Sequence, residues 1–192
     1  ETMRNMAERY DGYGFGIKKV MEQQAVTSGI IGAVADIIKV EEKYETAIET
    51  ALGGSIQNIV TDTQKTAKKM IEYLKKNRYG RVTFLPLDAV KGKEFARKEI
   101  LLEPGVIGAA NQLVIYDEVY KDLFASLLGQ ILVVKDMDAG IKIANKYHHS
   151  VRIVTLDGDS LNRGGAMSGG AFKNKSNLLG SSREVEELKI EN

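Results

Sequence analysis

The densest group of residues with the potential for site chemistry is a run of glycines near the C-terminal end. The run reads Gly164-Gly165-Ala166-Met167-Ser168-Gly169-Gly170. Glycine permits positive φ and close approach of backbones, so the run suits a phosphate cradle, a tight turn or a close interface. A P-loop needs Lys and then Ser or Thr after its last glycine, but Ala171 and Phe172 follow here. The phosphate interpretation is therefore the weakest of the three.

Residues for catalysis are scarce. Ser168 lies in a loose match to a nucleophile elbow, but the elbow needs a following helix, and residues 172–177 are polar and not helix-like. His148 and His149 are adjacent, so they would point in different directions, and no metal-ligand motif accompanies them. The absence of Cys excludes thiol nucleophiles and Cys-ligated zinc. We therefore predict no catalytic residue, no metal site and no enzymatic activity in this chain.

Positive charge is unevenly distributed along a chain whose net charge is only +1. The segment from Ser160 to Arg183 holds four basic residues and no acidic one. Its mixture of cations and glycine amides could follow a phosphate backbone. The segment from Gln64 to Arg81 holds seven basic residues against Glu72 alone. For this second segment a solvated helix face is the favoured interpretation, with nucleic-acid contact as the alternative.

The overall composition is that of a globular protein with a sizeable core. Hydrophobic residues make up 43% and charged residues 28%. No apolar run approaches the ~20 residues of a membrane span, and no secretory signal peptide is visible. We expect a protein of the cytoplasm, with no membrane partner. Because the chain starts at Glu1 rather than Met, we also expect it to be an excised piece of a longer protein.

An internal repeat organises the sequence. Gly29-Ile30-Ile31-Gly32-Ala33 resembles Gly105-Val106-Ile107-Gly108-Ala109, which lies 76 positions later. Without a gap, 8 of 25 positions are identical between residues 29–53 and 105–129. Matched glycines in a gap-free run favour duplication over chance.

Each copy predicts the same order of strands and helices. Strands are expected at 37–40, 56–60 and 81–85 in the first copy and at 113–116, 131–134 and 151–156 in the second. The first helix shows one apolar face at Tyr44, Ala47, Ile48, Ala51 and Leu52. Gly53 and Gly129 are predicted as left-handed helix C-caps, and Asp62 and Asp136 as N-caps of the second helices. The second helix of copy one is predicted to bury an apolar stripe at Ala67, Met70, Ile71 and Leu74. The result is a mixed α/β fold of two small subdomains, joined around residues 91–104.

The two ends carry fragments of heptad spacing. Met3, Met6, Tyr10 and Tyr13 occupy a and d positions, and Val185 and Leu188 are three apart among charged residues. Spacing alone favours short surface helices, because a coiled coil needs three or four heptads. A globular unit between two truncated helices also fits an insertion at the tip of a helical hairpin.

Three motifs in the last third of the chain carry a family resemblance. They are Val154-Thr155-Leu156-Asp157-Gly158-Asp159, the glycine run, and Leu178-Leu179-Gly180 with Ser182-Arg183-Glu184. Together with residues 29–52 and Val60-Thr61-Asp62, they resemble the hinge domain of structural maintenance of chromosomes (SMC) proteins, in the bacterial homodimeric form. The resemblance covers residues 14–188.

This resemblance implies a fold and a place in a longer chain. The fold is mixed α/β (α+β), with two similar subdomains that form half of a toroidal dimer flanked by coiled-coil stubs. Residues 1–16 would end the N-terminal coiled-coil helix, 17–100 and 101–177 would be hinge subdomains I and II, and 178–192 would start the C-terminal helix. The arms would lead to ATPase heads, so ATP and Mg would bind there and no cofactor in this fragment.

The resemblance also implies site residues. The dimer interface would involve Gly164, Gly165, Gly169, Gly170 and Met167. Weak binding of DNA, with single-stranded DNA as a candidate form, would involve Lys173, Lys175, Arg152 and Arg163. The implied function is a dimerisation hinge of a chromosome condensation and segregation ATPase at the nucleoid. A stand-alone nucleic-acid-binding domain would instead be a monomer with clear DNA affinity, and a nucleotide-dependent α/β enzyme would need a ligand site.

Overall fold

A computed structural model describes residues 13–172, 178–180, 184 and 188. Their contacts divide the chain into two compact units. The first unit contains the described residues up to Ile37 together with Gly54–Val90. The second contains Ile38–Gly53 and the described part of Lys91–Gly180.

The first unit is built on a three-stranded sheet. Its strands are β1 (Ile30–Ala33), β3 (Ile59–Thr61) and β4 (Phe84–Pro86), in the order β1-β3-β4. Strand β3 is antiparallel to β1 and parallel to β4. Helices α1 (Phe15–Glu22) and α3 (Gln64–Asn77) belong to the same unit. Val20 and Met21 of α1 and Ala67, Met70 and Leu74 of α3 are buried, so both helices bury one apolar face.

The second unit is built on a five-stranded sheet. Its order is β10 (Met167–Ser168), β9 (Ser160–Leu161), β8 (Arg152–Thr155), β7 (Ile131–Val134) and β5 (Val106–Ala109). Strands β7 and β8 are parallel, and the other neighbours are antiparallel. A separate two-stranded ladder joins β2 (Lys39–Val40) to β6 (Val114–Ile115). The helices are α2 (Glu45–Leu52), α4 (Lys98–Leu101), α5 (Lys121–Leu128) and α6 (Met137–Lys146).

Short 3-10 segments connect these elements. They are Gln23–Ala25, Val34–Asp36, Glu42–Tyr44, Gly53–Gln57, Ala110–Leu113 and Glu118–Tyr120. Of these, Glu42–Tyr44 leads directly into α2 and Glu118–Tyr120 directly into α5, at equivalent places in the two copies of the repeat.

Several backbone features recur in the two units at the spacing of the repeat. Gly29 and Gly105 both have positive φ, of 96° and 87°. The carbonyl of Gly29 accepts from the N–H of Asp62, and that of Gly105 accepts from the N–H of Lys135. Both following strands shift register at the same place, between Ile30 and Gly32 and between Val106 and Gly108. These matches are what the internal repeat predicts.

The mixed helix and sheet fold predicted from the sequence is confirmed, with local corrections. The helix with the Tyr44–Leu52 spacing is present as α2, and Asp136 caps α6 by accepting from the N–H of Ala139. Strands β1 and β5, which contain the matched glycines, were not predicted as strands. The predicted cap at Asp62 is wrong by one residue, because the Thr63 hydroxyl accepts from the N–H of Thr66.

The prediction that Gly129 is a left-handed helix C-cap is wrong. Gly129 has ordinary right-handed φ and ψ of −63° and −24°, so it is no left-handed cap. A Cβ at Gly129 would lie 2.4 Å from the carbonyl oxygen of Ala125 and 2.5 Å from that of Lys93. The position therefore requires glycine for space. Gly53 does have positive φ, of 55°, although its ψ of −134° lies outside the left-handed helical region.

The predicted joining segment at 91–104 and helix α2 both belong to the second unit by their contacts. Phe95 and Ile100, in the predicted connection at 91–104, are buried in the core of the second unit with Leu132 and Ile153. Helix α2 belongs to the first repeat copy in sequence but to the second unit by its contacts. The sequence predicts that one subdomain ends at residue 100 and the next begins at residue 101. The contacts instead divide the chain after residues 37, 53 and 90.

The crowding at Gly129 gives a stability prediction. Gly129→Ala should lower the free energy of unfolding by about 1–3 kcal/mol, since a methyl group must displace backbone. Gly54→Ala is the control, because nothing lies within 4 Å of a Cβ there. It should leave stability unchanged or raise it by up to about 1 kcal/mol. Urea unfolding of both variants measures this, and equal stabilities would show that Gly129 is not sterically required.

Candidate functional site

The glycine run forms a β-hairpin. Strands β9 and β10 pair antiparallel, with Met167 opposite Leu161 and Ser168 opposite Ser160. The N–H of Gly165 donates to the carbonyl of Asn162 over 3.1 Å and closes a tight turn. Gly164, at the third position of the turn, has a φ of 85°, a conformation that favours glycine. Of the three interpretations of the run, the turn is therefore present.

The turn is tied to the end of α6. The N–H of Gly164 donates to the carbonyl of His149 over 3.0 Å. His148 and His149 follow α6 with positive φ of 58° and 56°, and the N–H of His149 donates to the carbonyl of Ala144. The two histidines thus end the helix and hold the turn through their backbone.

Strand β10 is the outer strand of its sheet. It pairs with β9 on one side and has no neighbouring strand on the other side among the described residues. Met167 is 54% exposed. It lines a small apolar depression with Ile141, Ala144, Gly165 and Leu161. An exposed edge strand beside apolar side chains is a template for pairing with another chain.

The four predicted interface glycines differ in their surroundings. A Cβ at Gly164 or Gly170 would meet nothing within 4 Å, and one at Gly165 would only reach the His149 ring at 3.9 Å. Their own unit therefore leaves these three positions open. A Cβ at Gly169 would lie 2.3 Å from the carboxylate of Asp159. A side chain at position 169 would therefore displace the Asp159 carboxylate of its own unit.

Arg152 has a structural role that the sequence did not indicate. Its guanidinium donates to the carbonyl of Ala51 over 3.1 Å and to that of Thr50 over 3.2 Å. These carbonyls end α2, where helix carbonyls lack internal partners and the helix dipole is negative. A forked cation is well suited to satisfy both.

Arg163 differs from Arg152 in being exposed. The two arginines nevertheless line one shallow depression with Ser126, Gln130 and Asn162. The structure thus brings together two of the four predicted DNA-binding residues. Lys173 and Lys175 lie outside the described residues.

The sheet of the first unit also has an open edge, which the sequence did not indicate. Strand β4 ends the sheet β1-β3-β4, and an apolar groove runs between β4 and α3. Its apolar lining is Ala67, Ile71, Val82, Phe84 and Pro86, and its polar lining is Gln64, Lys68, Glu72 and Lys75. Ile71 is 39% exposed. The prediction that Ile71 is buried with Ala67, Met70 and Leu74 is wrong, because Ile71 lies at the margin of that stripe and lines the groove.

The described residues contain no group of His, Asp or Glu side chains arranged to hold a metal ion. Among the same residues, no helix is long and apolar enough to cross a membrane.

Comparison with known proteins identifies the family. The family model for the SMC proteins flexible hinge domain matches residues 27–144. The chain is 43% identical over 99% of its length to the chromosome partition protein Smc of Desulfitobacterium hafniense, and 41% identical over 98% to that of Bacillus subtilis. The chain belongs to the SMC hinge domain family. It spans only 16% of the length of either relative.

Solved structures agree with this assignment of the hinge. An asymmetric dimer of the Geobacillus stearothermophilus SMC hinge domain matches with a TM-score of 0.89 and 42% identity, over 98% of this chain and 77% of that chain. The Pyrococcus furiosus SMC hinge domain matches with a TM-score of 0.70 and 32% identity, over 88% and 86% of the two chains. The resemblance found in the sequence is thereby confirmed.

The bonds of Arg152 to α2 give a prediction for the hinge. Arg152→Ala should lower the free energy of unfolding by about 1.5–3 kcal/mol, because hydrogen bonds from a charged donor are lost. Arg152→Lys should lower the free energy of unfolding less than Arg152→Ala, since an ammonium keeps the charge but lacks the forked pair of donors. Arg163→Ala is the control and should change stability by less than about 0.5 kcal/mol. Thermal unfolding of the three variants measures these changes. Equal losses of stability for Arg152→Ala and Arg163→Ala would contradict the role of Arg152 in capping α2.

Proposed function

We propose that this chain is the dimerisation hinge of an SMC chromosome partition protein, and that two copies associate through the open edges of their sheets. The observation that carries the proposal is that, among the described residues, each unit has an outer strand with an open side and exposed apolar side chains beside it: β10 with Met167, and β4 with Ile71. Unpaired backbone N–H and C=O groups on such edges favour pairing with another strand.

Comparison of the two units supports pairing at β4. In the second unit, the parallel pair β7–β8 is extended by β9, and Leu161 of β9 packs on α6 at Gly140. In the first unit, the parallel pair β3–β4 has no such extension, and the groove beside α3 is open. A strand from a second copy would give β4 the neighbour that β8 already has.

The edge strand β10 of a second copy is the proposed occupant. It is glycine-rich, so few side chains obstruct close approach, and Met167 supplies an apolar side chain for the groove. When one copy offers β10 to β4 of the other, two-fold symmetry repeats the same contact in the opposite direction. Two equivalent interfaces then close a ring.

Dimerisation through these edges predicts the effect of charged substitutions. Met167→Glu, and separately Ile71→Glu, should give folded monomers, because each places a charge in an apolar contact that occurs twice per dimer. Sedimentation equilibrium over a dilution series measures the mass, which should be near 21.1 kDa for the variants and twice that for the unchanged chain.

Leu102→Glu is the matched control for this experiment. Leu102 is 85% exposed but lies on neither sheet edge, so the variant should remain a dimer. Gly169→Glu is a poor choice, since its side chain would collide with Asp159 of its own hairpin. Dimeric Met167→Glu and Ile71→Glu proteins would refute the edge-pairing proposal, and a monomeric unchanged chain would favour a stand-alone nucleic-acid-binding domain.

We further propose weak DNA binding by the segment that follows the hairpin. The exposed Arg163 and the absence of acidic residues from 160 to 183 support it. Arg152 would contribute to the local potential, while its guanidinium remains bound to α2. Phe172, which is 55% exposed, is the aromatic side chain available for stacking with a single-stranded base.

The DNA proposal predicts a change in salt dependence. Lys173→Glu combined with Lys175→Glu should weaken DNA binding and lower the slope of log K against log salt by about 2, because each lost phosphate contact contributes about 0.9. Fluorescence anisotropy with single-stranded and duplex DNA over a salt series measures both quantities. An unchanged slope would remove these lysines from the DNA site.

The remaining functions belong to the longer protein that we infer. Two coiled-coil arms would be held together by the hinge, and ATP with Mg would be hydrolysed in head domains beyond this chain. The protein would act at the nucleoid in the cytoplasm.

A further inference from the structure

The basic segment of the first unit forms a single stripe on α3. Lys65, Lys69, Glu72 and Lys76 follow one another at intervals of four, three and four residues, so they share one helix face. Ala67, Met70 and Leu74 are buried on the opposite face. All four stripe residues are exposed.

The lysines of this stripe are not neutralised by neighbouring carboxylates. Among the described residues, no carboxylate lies within salt-bridge distance of Lys65, Lys69 or Lys76. Glu72 is paired only with Lys68, over 3.9 Å and at an exposed position, where an ion pair contributes little. Lys68 and Lys75 add charge along the margin of the stripe. The face therefore presents a concentrated positive potential to solvent.

The N-terminus of α3 is not the source of this potential. The carboxylate of Asp62 accepts from the N–H of Thr63, and that of Asp88 from the N–H of Gln64. The hydrogen bond from Thr66 lowers the pKa of Asp62 below its ordinary value, so this carboxylate keeps its negative charge there. An anion is therefore attracted to the lysines along the helix side and not to the helix end.

We propose that the α3 stripe is a second nucleic-acid surface, which binds the phosphate backbone of duplex DNA independently of the segment that follows the hairpin. From Lys65 to Lys76 the helix rises about 16 Å, at about 1.5 Å per residue. Over that length each of the three lysines can contact one backbone phosphate, so the stripe offers about three phosphate contacts.

The side chains of the stripe favour a duplex over a single strand. Binding of single strands relies on aromatic side chains that stack with unpaired bases. The stripe has none: Tyr73 lies outside it, half-buried, with its ring edge-to-face against Tyr79 and its hydroxyl accepting from Gln23. Lysines alone read no sequence, so the contact is non-specific and sensitive to salt.

The three lysines of the stripe are also separable from the proposed dimer contact. Lys65, Lys69 and Lys76 do not line the groove between α3 and β4. Their substitution therefore tests DNA binding without removing an interface side chain.

The test is the triple variant Lys65→Gln, Lys69→Gln and Lys76→Gln, titrated onto a labelled duplex of about 30 base pairs. Its affinity should fall at least about tenfold at low salt, and its slope of log K against log salt should decrease by about 2–3. Affinity for an oligo-dT strand should fall less than affinity for the duplex.

The matched control replaces three exposed lysines of the second unit, Lys93, Lys98 and Lys121, by glutamine. It changes the net charge equally but leaves the stripe intact, so its duplex affinity should stay close to that of the unchanged chain. Sedimentation and thermal unfolding of all variants verify the dimer and the fold.

The possible outcomes separate this inference from the proposed DNA site of the second unit. A stripe variant that binds duplex as well as its control overturns the inference, even if Lys173→Glu with Lys175→Glu abolishes binding. A loss confined to the stripe variant supports the inference and leaves the other site to its own experiment. The inference is also overturned if the stripe variant loses more affinity for the oligo-dT strand than for the duplex.

Discussion

Two hydrogen bonds from Arg152 attach the end of α2 to strand β8 of the second unit. They join residues that are 101 and 102 positions apart, and they satisfy carbonyls that the helix itself cannot. Two further bonds reach the same helix turn: the Thr50 hydroxyl donates to Gly158, and the Glu49 carboxylate accepts from the N–H of Leu179. A helix from the first repeat copy thereby orders both the turn before β9 and the start of the final helical residues.

The sheet edges follow from that assembly. The turn around Gly158 leads into β9 and then into β10, so the position of the exposed edge depends on the contacts of α2. The ring of Phe172 also approaches Gly158 so closely that a Cβ there would lie 2.9 Å from it. The residue that follows the hairpin is therefore packed on the turn that precedes it, and such preorganisation lowers the entropy cost of association.

The two sets of basic residues have different structural settings. Arg152 is committed to a helix end, Arg163 is exposed beside a glycine turn, and the lysines of α3 lie along a regular helix. Because few carboxylates oppose the exposed cations, each set would act through long-range potential more than through specific bonds. A hinge with net charge +1 would in this way bind DNA weakly and release it readily as salt rises.

Local patterns in the sequence determined α2, α3, the cap at Asp136 and the mixed fold class, because these depend on residues three or four positions apart. Helices α1 and α4 were not predicted. The family was visible from the glycine run and its flanking motifs. The tertiary structure alone decided the open edge of β4, the unit to which α2 belongs and the partners of Arg152. It also decided that position 129 needs glycine because a side chain would not fit there, and that position 164 favours glycine because its φ is positive. Such features depend on contacts between residues far apart in the chain, which periodicity cannot register.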